Sequence, residues 1–205
     1  MSDEPQPDPA AARTNVVLLA IAVEGGLIAL ALVVGWAIDQ APLSRFRIDA
    51  EGALWGAAAT LPLVLLFLAM TRWPVGPLRS IKQFTEEMMV PLLEPCSVID
   101  LLGISCLAGL GEEMLFRGVV QDALGQHVPP WAAVLLAGAV FGALHAVTPS
   151  YAFFAALMGA YLGALYLLSG NLLAPVVTHA LYDFFALVYL LRVATRPSGE
   201  PPEAK

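Results

Sequence analysis

The chain has 205 residues, of which 59% are hydrophobic and 13% are charged, and its mean hydropathy is +0.75. This balance excludes an ordinary soluble domain and indicates a membrane protein. The formal net charge of -7 argues against a nucleic-acid partner, because such a partner requires a basic face on the protein.

About six apolar stretches follow one another along the chain, and each is close to the roughly 20 residues that a helix needs to cross a hydrocarbon core. They begin near Val16, Ala53, Val98, Trp131, Tyr151 and Asn171. Lipid offers no hydrogen-bond partner to a bare backbone, and the alternation of barrel strands is absent from these stretches. We therefore predict an all-α fold, a polytopic transmembrane helix bundle of about six spans that lies in the lipid bilayer.

One helical domain is predicted over residues 16–195, between disordered tails at residues 1–15 and 196–205. The first tail is acidic and rich in proline, and it lacks the basic start and apolar core of a cleaved signal peptide. The first span is therefore expected to be retained. A more polar segment between Leu78 and Leu93 is expected to lie along the membrane interface.

The distribution of positive charge predicts the orientation, because loops rich in Lys and Arg stay in the cytoplasm. With both termini inside, seven of these residues fall on the cytoplasmic side and two on the outer side. The inside set is Arg13, Arg72, Arg79, Lys82, Arg192, Arg196 and Lys205, and the outside set is Arg45 and Arg47. We expect a multi-pass protein of the bacterial inner membrane with cytoplasmic termini.

Three of the predicted spans contain ionisable side chains, which cost about 2.5 to 3.5 kcal/mol each inside a membrane and therefore need a partner or a function. The third span carries Glu112, Glu113 and Arg117, the fourth carries His145, and the sixth carries His179 and Asp183. Glu112 and His145 are expected at depths that differ by only about 8 Å, so the groups can meet.

Helical spacing separates the roles of the two adjacent glutamates. Glu113 precedes Arg117 by four residues, which is the favourable order for an ion pair on one helix face. Glu112 points about 100° away from that face and is left free for chemistry. An apolar pocket makes such a carboxylate a stronger base. For the Glu113 and Arg117 pair, a purely structural clamp between helices remains an equal alternative.

Spacing by four residues also relates two further pairs of side chains. Phe141 stands four residues before His145 and is positioned to wall the pocket of that imidazole. His179 stands four residues before Asp183, so these two side chains can share a hydrogen bond.

The succession EExxxR, FxxxH and HxxxD over about residues 98–189 resembles the three motifs of the CPBP family, which includes CAAX prenyl protease 2. The resemblance implies a glutamic intramembrane endopeptidase in which Glu112 and His145 activate a water molecule, with His179 and Asp183 near the oxyanion. It implies no cofactor and no metal. The candidate catalytic residues are Glu112, Glu113, His145, His179 and Asp183, supported by Arg117 and Phe141.

Asp183 departs from several relatives, which carry Asn at this position. An ionised aspartate cannot donate a hydrogen bond to an oxyanion. Two accounts remain open: Asp183 orients His179 as an ionised acceptor, or it stays protonated and donates to the oxyanion itself.

Two other ionisable residues are interpreted as structural. Glu24, in the middle of the first span, is expected to be protonated or hydrogen-bonded to a neighbouring helix, and His127 is expected in a solvated loop. The glycines in small-xxx-small spacing are expected to permit close helix packing.

Two competing functions remain at this point. Two histidines and a glutamate can bind zinc, although no HExxH helix is present. The charges can also form a proton relay or pocket in a non-enzymatic transporter or immunity protein. The expected partner of a protease is a membrane-associated protein or peptide, and we favour peptide or sorting-tail processing over prenylated substrates.

Overall fold

The computed structural model describes residues 8–194, and this part of the chain forms seven helices with no β-strand. The helices are α1 (Pro9–Ala37), α2 (Ala50–Arg72), α3 (Leu78–Leu93), α4 (Val98–Gly125), α5 (Pro130–Leu144), α6 (Pro149–Ser169) and α7 (Leu173–Val193). The all-α prediction is confirmed. The tail predicted at residues 196–205, and residues 1–7 of the first predicted tail, lie outside the described residues.

Four of these helices, α1, α2, α6 and α7, are long and apolar enough to cross a membrane. Helices α3 and α4 pass the same test as a pair bent by 116°, which raises the number of spans to as many as five. Helix α5 has only 15 residues, about 22 Å of helix, which is less than the roughly 30 Å of a hydrocarbon core. The multi-pass architecture is therefore confirmed with four or five full spans and one shorter apolar helix.

Local capping explains where two of the helices begin. The Asp8 side chain accepts a hydrogen bond from the backbone N–H of Ala10 at 3.0 Å, and Pro9 occupies the first turn, where its missing N–H has no consequence. Helix α1 thus starts inside the segment predicted as a tail. At α4, Ser97 and Asp100 form a reciprocal capping box.

Different arginines mark the two ends of the bundle. At one end, Arg13 of α1 lies 2.6 Å from Asp100 of α4, and Arg192 near the end of α7 donates to a backbone carbonyl just before α4. At the other end, Arg45 lies 3.8 Å from Asp122. The beginning of α1 and the end of α7 therefore lie at the same end of the bundle.

Glycines allow the central helices to approach closely. A methyl group added at Gly109 of α4 would lie 3.0 Å from backbone atoms of α7, and one added at Gly138 of α5 would lie 2.7 Å from the backbone of α6. These contacts bring α4, α5, α6 and α7 together around the middle of α4, where nearly every residue from Ala108 to Val119 is buried. The charged side chains of the third predicted span lie in this buried region.

Candidate active site

Three helices bring the predicted ionisable residues into one group. Helix α4 supplies the two glutamates and the arginine, α5 ends immediately before His145, and α7 supplies His179 and Asp183. From Met114 to Gln121 helix α4 adopts a wider π-helical geometry, which begins directly after Glu113. Such wide turns recur at functional sites in helical proteins.

Glu113 bonds to two other side chains in the buried part of the site. Its Oε1 accepts a hydrogen bond from Nη1 of Arg117 at 2.8 Å and lies 2.9 Å from Nδ1 of His179. The three side chains are 0%, 1% and 5% exposed, respectively. The same carboxyl oxygen accepts from the Arg117 guanidinium, so Nδ1 of His179 is the donor in the second bond. The helical pair predicted from spacing is formed, and Glu113 extends it to a second helix, α7.

Arg117 makes two further contacts. Its Nη2 donates to the carbonyl oxygen of Gly159 on α6 at 2.7 Å, and its guanidinium lies 5.1 Å from the centre of the Phe141 ring on α5. A guanidinium can stack on an aromatic ring while its edge donates hydrogen bonds. One side chain of α4 thereby contacts both α5 and α6.

Glu112 faces a different space from its neighbour. Its Oε2 is buried, has no hydrogen-bond partner, and lies 3.8 Å from Nε2 of His145 and 3.9 Å from Nε2 of His179. Both separations are too long for a direct hydrogen bond and short enough for one water molecule to contact each pair of atoms. The carboxyl group therefore stands between two imidazoles.

The tautomer of His145 follows from its contacts. The ring stacks on Phe141 with centroids 4.3 Å apart, and Nδ1 lies 2.8 Å from the Phe141 carbonyl oxygen. A carbonyl oxygen only accepts hydrogen bonds, so Nδ1 carries the proton. In the neutral ring, Nε2 is then a hydrogen-bond acceptor that points towards Glu112.

Asp183 lies at the outer edge of the group and is 28% exposed, with its Oδ2 3.4 Å from Nε2 of His179. This is the nitrogen that also faces Glu112, whereas Nδ1 is held by Glu113. An ionised Asp183 that orients His179 would leave Nδ1 to reach the oxyanion, and Glu113 occupies that position. The histidine is therefore oriented by Glu113.

Two more ionisable side chains act on this group. Glu24 of α1 interacts electrostatically with Glu112 and Asp183 and with both histidines, and Tyr151 of α6 interacts with Glu112 and Asp183. The sequence signal for Glu24 is a carboxylate in the middle of a span, for which a structural role is the simpler interpretation. Nothing in the sequence distinguishes Tyr151.

Within residues 8–194, no three His, Cys, Asp or Glu side chains are arranged to hold a metal ion. His127 is exposed in the turn between α4 and α5, as expected for a loop histidine.

Part of the chain matches the model of a known protein family. Residues 94–185 match the model of the family described as type II CAAX prenyl endopeptidase Rce1-like. This segment is similar to that endopeptidase family. The matched range contains all the candidate catalytic and supporting residues, and the predicted family resemblance is confirmed. No curated protein and no solved structure matches the chain. The protein is thus a membrane-embedded peptidase, which favours the enzymatic interpretation over a transporter or immunity protein.

Proposed function

We propose that the protein is an intramembrane endopeptidase that cleaves a membrane-associated protein or peptide with a water molecule activated by Glu112 and His145. The observation that carries this proposal is the unpartnered Oε2 of Glu112, 3.8 Å and 3.9 Å from the Nε2 atoms of two imidazoles. A water molecule in this position would hydrogen-bond the buried carboxyl oxygen and lie within reach of both imidazoles.

Two acceptors define the position of the attacking water. A water molecule between Glu112 and Nε2 of His145 can donate one hydrogen atom to each, which leaves an oxygen lone pair free to attack a carbonyl carbon. Glu112 takes the proton as the new C–O bond forms. The protonated carboxyl then returns the proton to the leaving nitrogen as the C–N bond breaks.

His179 is suited to stabilise the tetrahedral intermediate. Its Nδ1 is fixed by Glu113, and its Nε2 faces the carboxyl groups of Glu112 and Asp183. A ring with a proton on each nitrogen has an acceptor at both positions, and its Nε2–H can donate to the developing oxyanion. Fixed donors aimed at the oxyanion contribute about 2.7 to 4 kcal/mol each to lowering the barrier.

The depth of the site favours substrates that are themselves in the membrane. Glu112 lies about 21 Å along α4 from its first residue, Val98. A scissile bond has to reach this depth, which suits a peptide leader or the sorting tail of a membrane protein. Processing of such a segment is the role that we favour over cleavage of prenylated proteins.

For the protein's location, we favour the bacterial inner membrane with both termini in the cytoplasm. The support is the placement of Arg13 and Arg192 at one end of the bundle and of Arg45 at the other. Labelling with an impermeant thiol reagent tests this: Ser44→Cys should react from outside the cell and Gln83→Cys should not.

Comparison of protein termini between strains tests the proposed function whatever the substrate is. A deletion strain is complemented with the wild-type gene or with Glu112→Gln, and membrane proteins and secreted peptides are compared by mass spectrometry. At least one protein should keep an extra terminal segment in the deletion and Glu112→Gln strains and lose it with the wild-type gene. Identical termini in all strains would contradict the proposal.

A further inference from the structure

One face of α1 contacts α4 beside the candidate active site. Its members follow helical spacing and are Glu24, Leu27, Ile28 and Ala31, of which the last three pack into a core cluster with residues of α4. A methyl group added at Gly111 would lie 2.8 Å from the carbonyl oxygen of Glu24. The turn of α1 that carries Glu24 therefore lies against the turn of α4 that carries Glu112.

The Glu24 carboxyl group is directed into this region without a partner in the protein. Its Oε2 is buried and accepts no hydrogen bond, and the groups that act on it electrostatically are those of the site. The structural interpretation of Glu24 is a carboxyl group that is protonated or hydrogen-bonded to a neighbouring helix, and Oε2 makes no such bond. A buried carboxyl oxygen that the fold leaves unpaired is available to a ligand.

A substrate polypeptide has hydrogen-bond donors that the Glu24 carboxyl group can accept. A polypeptide that enters a water-poor site in extended form brings backbone N–H groups that have lost their hydrogen bonds to water, and each needs an acceptor. Glu112 and Nε2 of His145 are engaged with the attacking water in the mechanism above. Glu24 offers an acceptor on a third helix, α1, whose turn lies against the turn of α4 that carries Glu112.

We propose that Glu24 binds the substrate polypeptide directly, with its buried carboxyl oxygen accepting a hydrogen bond from a backbone N–H that flanks the scissile bond. This inference rests on the proposed function, and it assigns α1, which lies outside the matched family segment, to substrate binding. Glu24 then contributes to the affinity for substrate and takes no part in proton transfer.

Steady-state kinetics on a synthetic peptide spanning the cleavage junction, incorporated into lipid vesicles, test the assignment. Glu24→Leu removes the acceptor and should raise KM about 10- to 100-fold with kcat changed less than about threefold. Glu24→Gln keeps a carbonyl oxygen and should remain within about threefold of wild type in both constants. Glu51→Leu, which removes a glutamate at the start of α2, is the matched control and should match wild type.

A second set of peptides separates substrate contact from a structural effect. Each backbone N–H beside the scissile bond is replaced in turn by an ester oxygen. One replacement should raise KM for the wild-type enzyme by about the same factor as Glu24→Leu does, and should have no further effect on Glu24→Leu.

Four outcomes are decisive, three for the role of Glu24 and one for the proposed function. Unchanged KM in Glu24→Leu overturns the role of Glu24, as does an equal loss of kcat in Glu24→Gln and Glu24→Leu, which would indicate proton transfer. Additive effects of the ester and Glu24→Leu at every position also overturn it. Failure of the wild-type protein to cut the peptide overturns the proposed function instead.

Discussion

The two adjacent glutamates of α4 have opposite surroundings. Glu113 is fully buried and its Oε1 is bonded to a cation and an imidazole, whereas Glu112 lies 3.8 Å and 3.9 Å from two imidazoles without a direct hydrogen bond to either. This division follows from their 100° separation on a helix, so it was predictable from the sequence. The bond between Glu113 and His179 was not, because spacing along one helix does not define the contacts between helices.

Asp183 allows a test at the level of a single functional group. Since Glu113 already fixes the ring of His179, we expect Asp183 to donate a hydrogen bond to the oxyanion in its protonated form. An amide can donate in the same place, so Asp183→Asn should keep turnover within about threefold of wild type. Asp183→Ala removes the donor and should lower kcat by about 100-fold or more. An equal loss in the two variants would reject donation.

The surroundings of Glu24 could not be predicted from the sequence. From the sequence alone, an isolated glutamate in a span is most simply explained as protonated or hydrogen-bonded to a neighbouring helix. The structure adds two facts: α1 contacts Gly111 at the turn that carries Glu24, and the Oε2 of Glu24 has no hydrogen-bond partner.

At the scale of helices, hydropathy predicted most of the elements. Helices α1, α2, α6 and α7 coincide with predicted spans, and the interfacial segment at Leu78 to Leu93 corresponds to α3. The shortness of α5 and the 116° bend between α3 and α4 were not predicted. Mean hydropathy counts apolar residues and does not report where a helix ends inside the bundle. That early end places His145 at the level of Glu112.

Arg117 connects the helices that form the site, through Glu113, the Gly159 carbonyl oxygen and the Phe141 ring. Arg117→Ala leaves Glu113 buried with only a histidine as a partner, and breaking a buried pair costs about 3 to 5 kcal/mol. The variant should accumulate in membranes at a clearly lower level than wild type and lose thermal stability in detergent.

Lys82→Ala is the matched control for this experiment, because Lys82 and its partner Glu86, 3.6 Å away, are both about half-exposed. Such surface pairs contribute about 0 to 1 kcal/mol, so this variant should accumulate normally. If Arg117→Ala also accumulates normally but is inactive, the arginine takes part in the chemistry and the structural clamp is wrong.

For the whole molecule, composition alone indicated the all-α membrane class, and three motifs in order indicated the family. What the sequence could not provide was the meeting of the motifs in space, which depends on the close contacts of α4 with α7 at Gly109 and of α5 with α6 at Gly138. The resulting site combines a carboxyl group and two imidazoles near the middle of the bundle.

The turnover of purified enzyme in the presence of a strong chelator tests the central claim, activation of water by Glu112 and His145, most directly. Wild-type protein should retain its activity, while Glu112→Ala and His145→Ala should each be about 100- to 10,000-fold slower at normal accumulation. Near-normal turnover in either variant would contradict the account. Loss of wild-type activity to the chelator, with recovery on adding zinc, would contradict it as well.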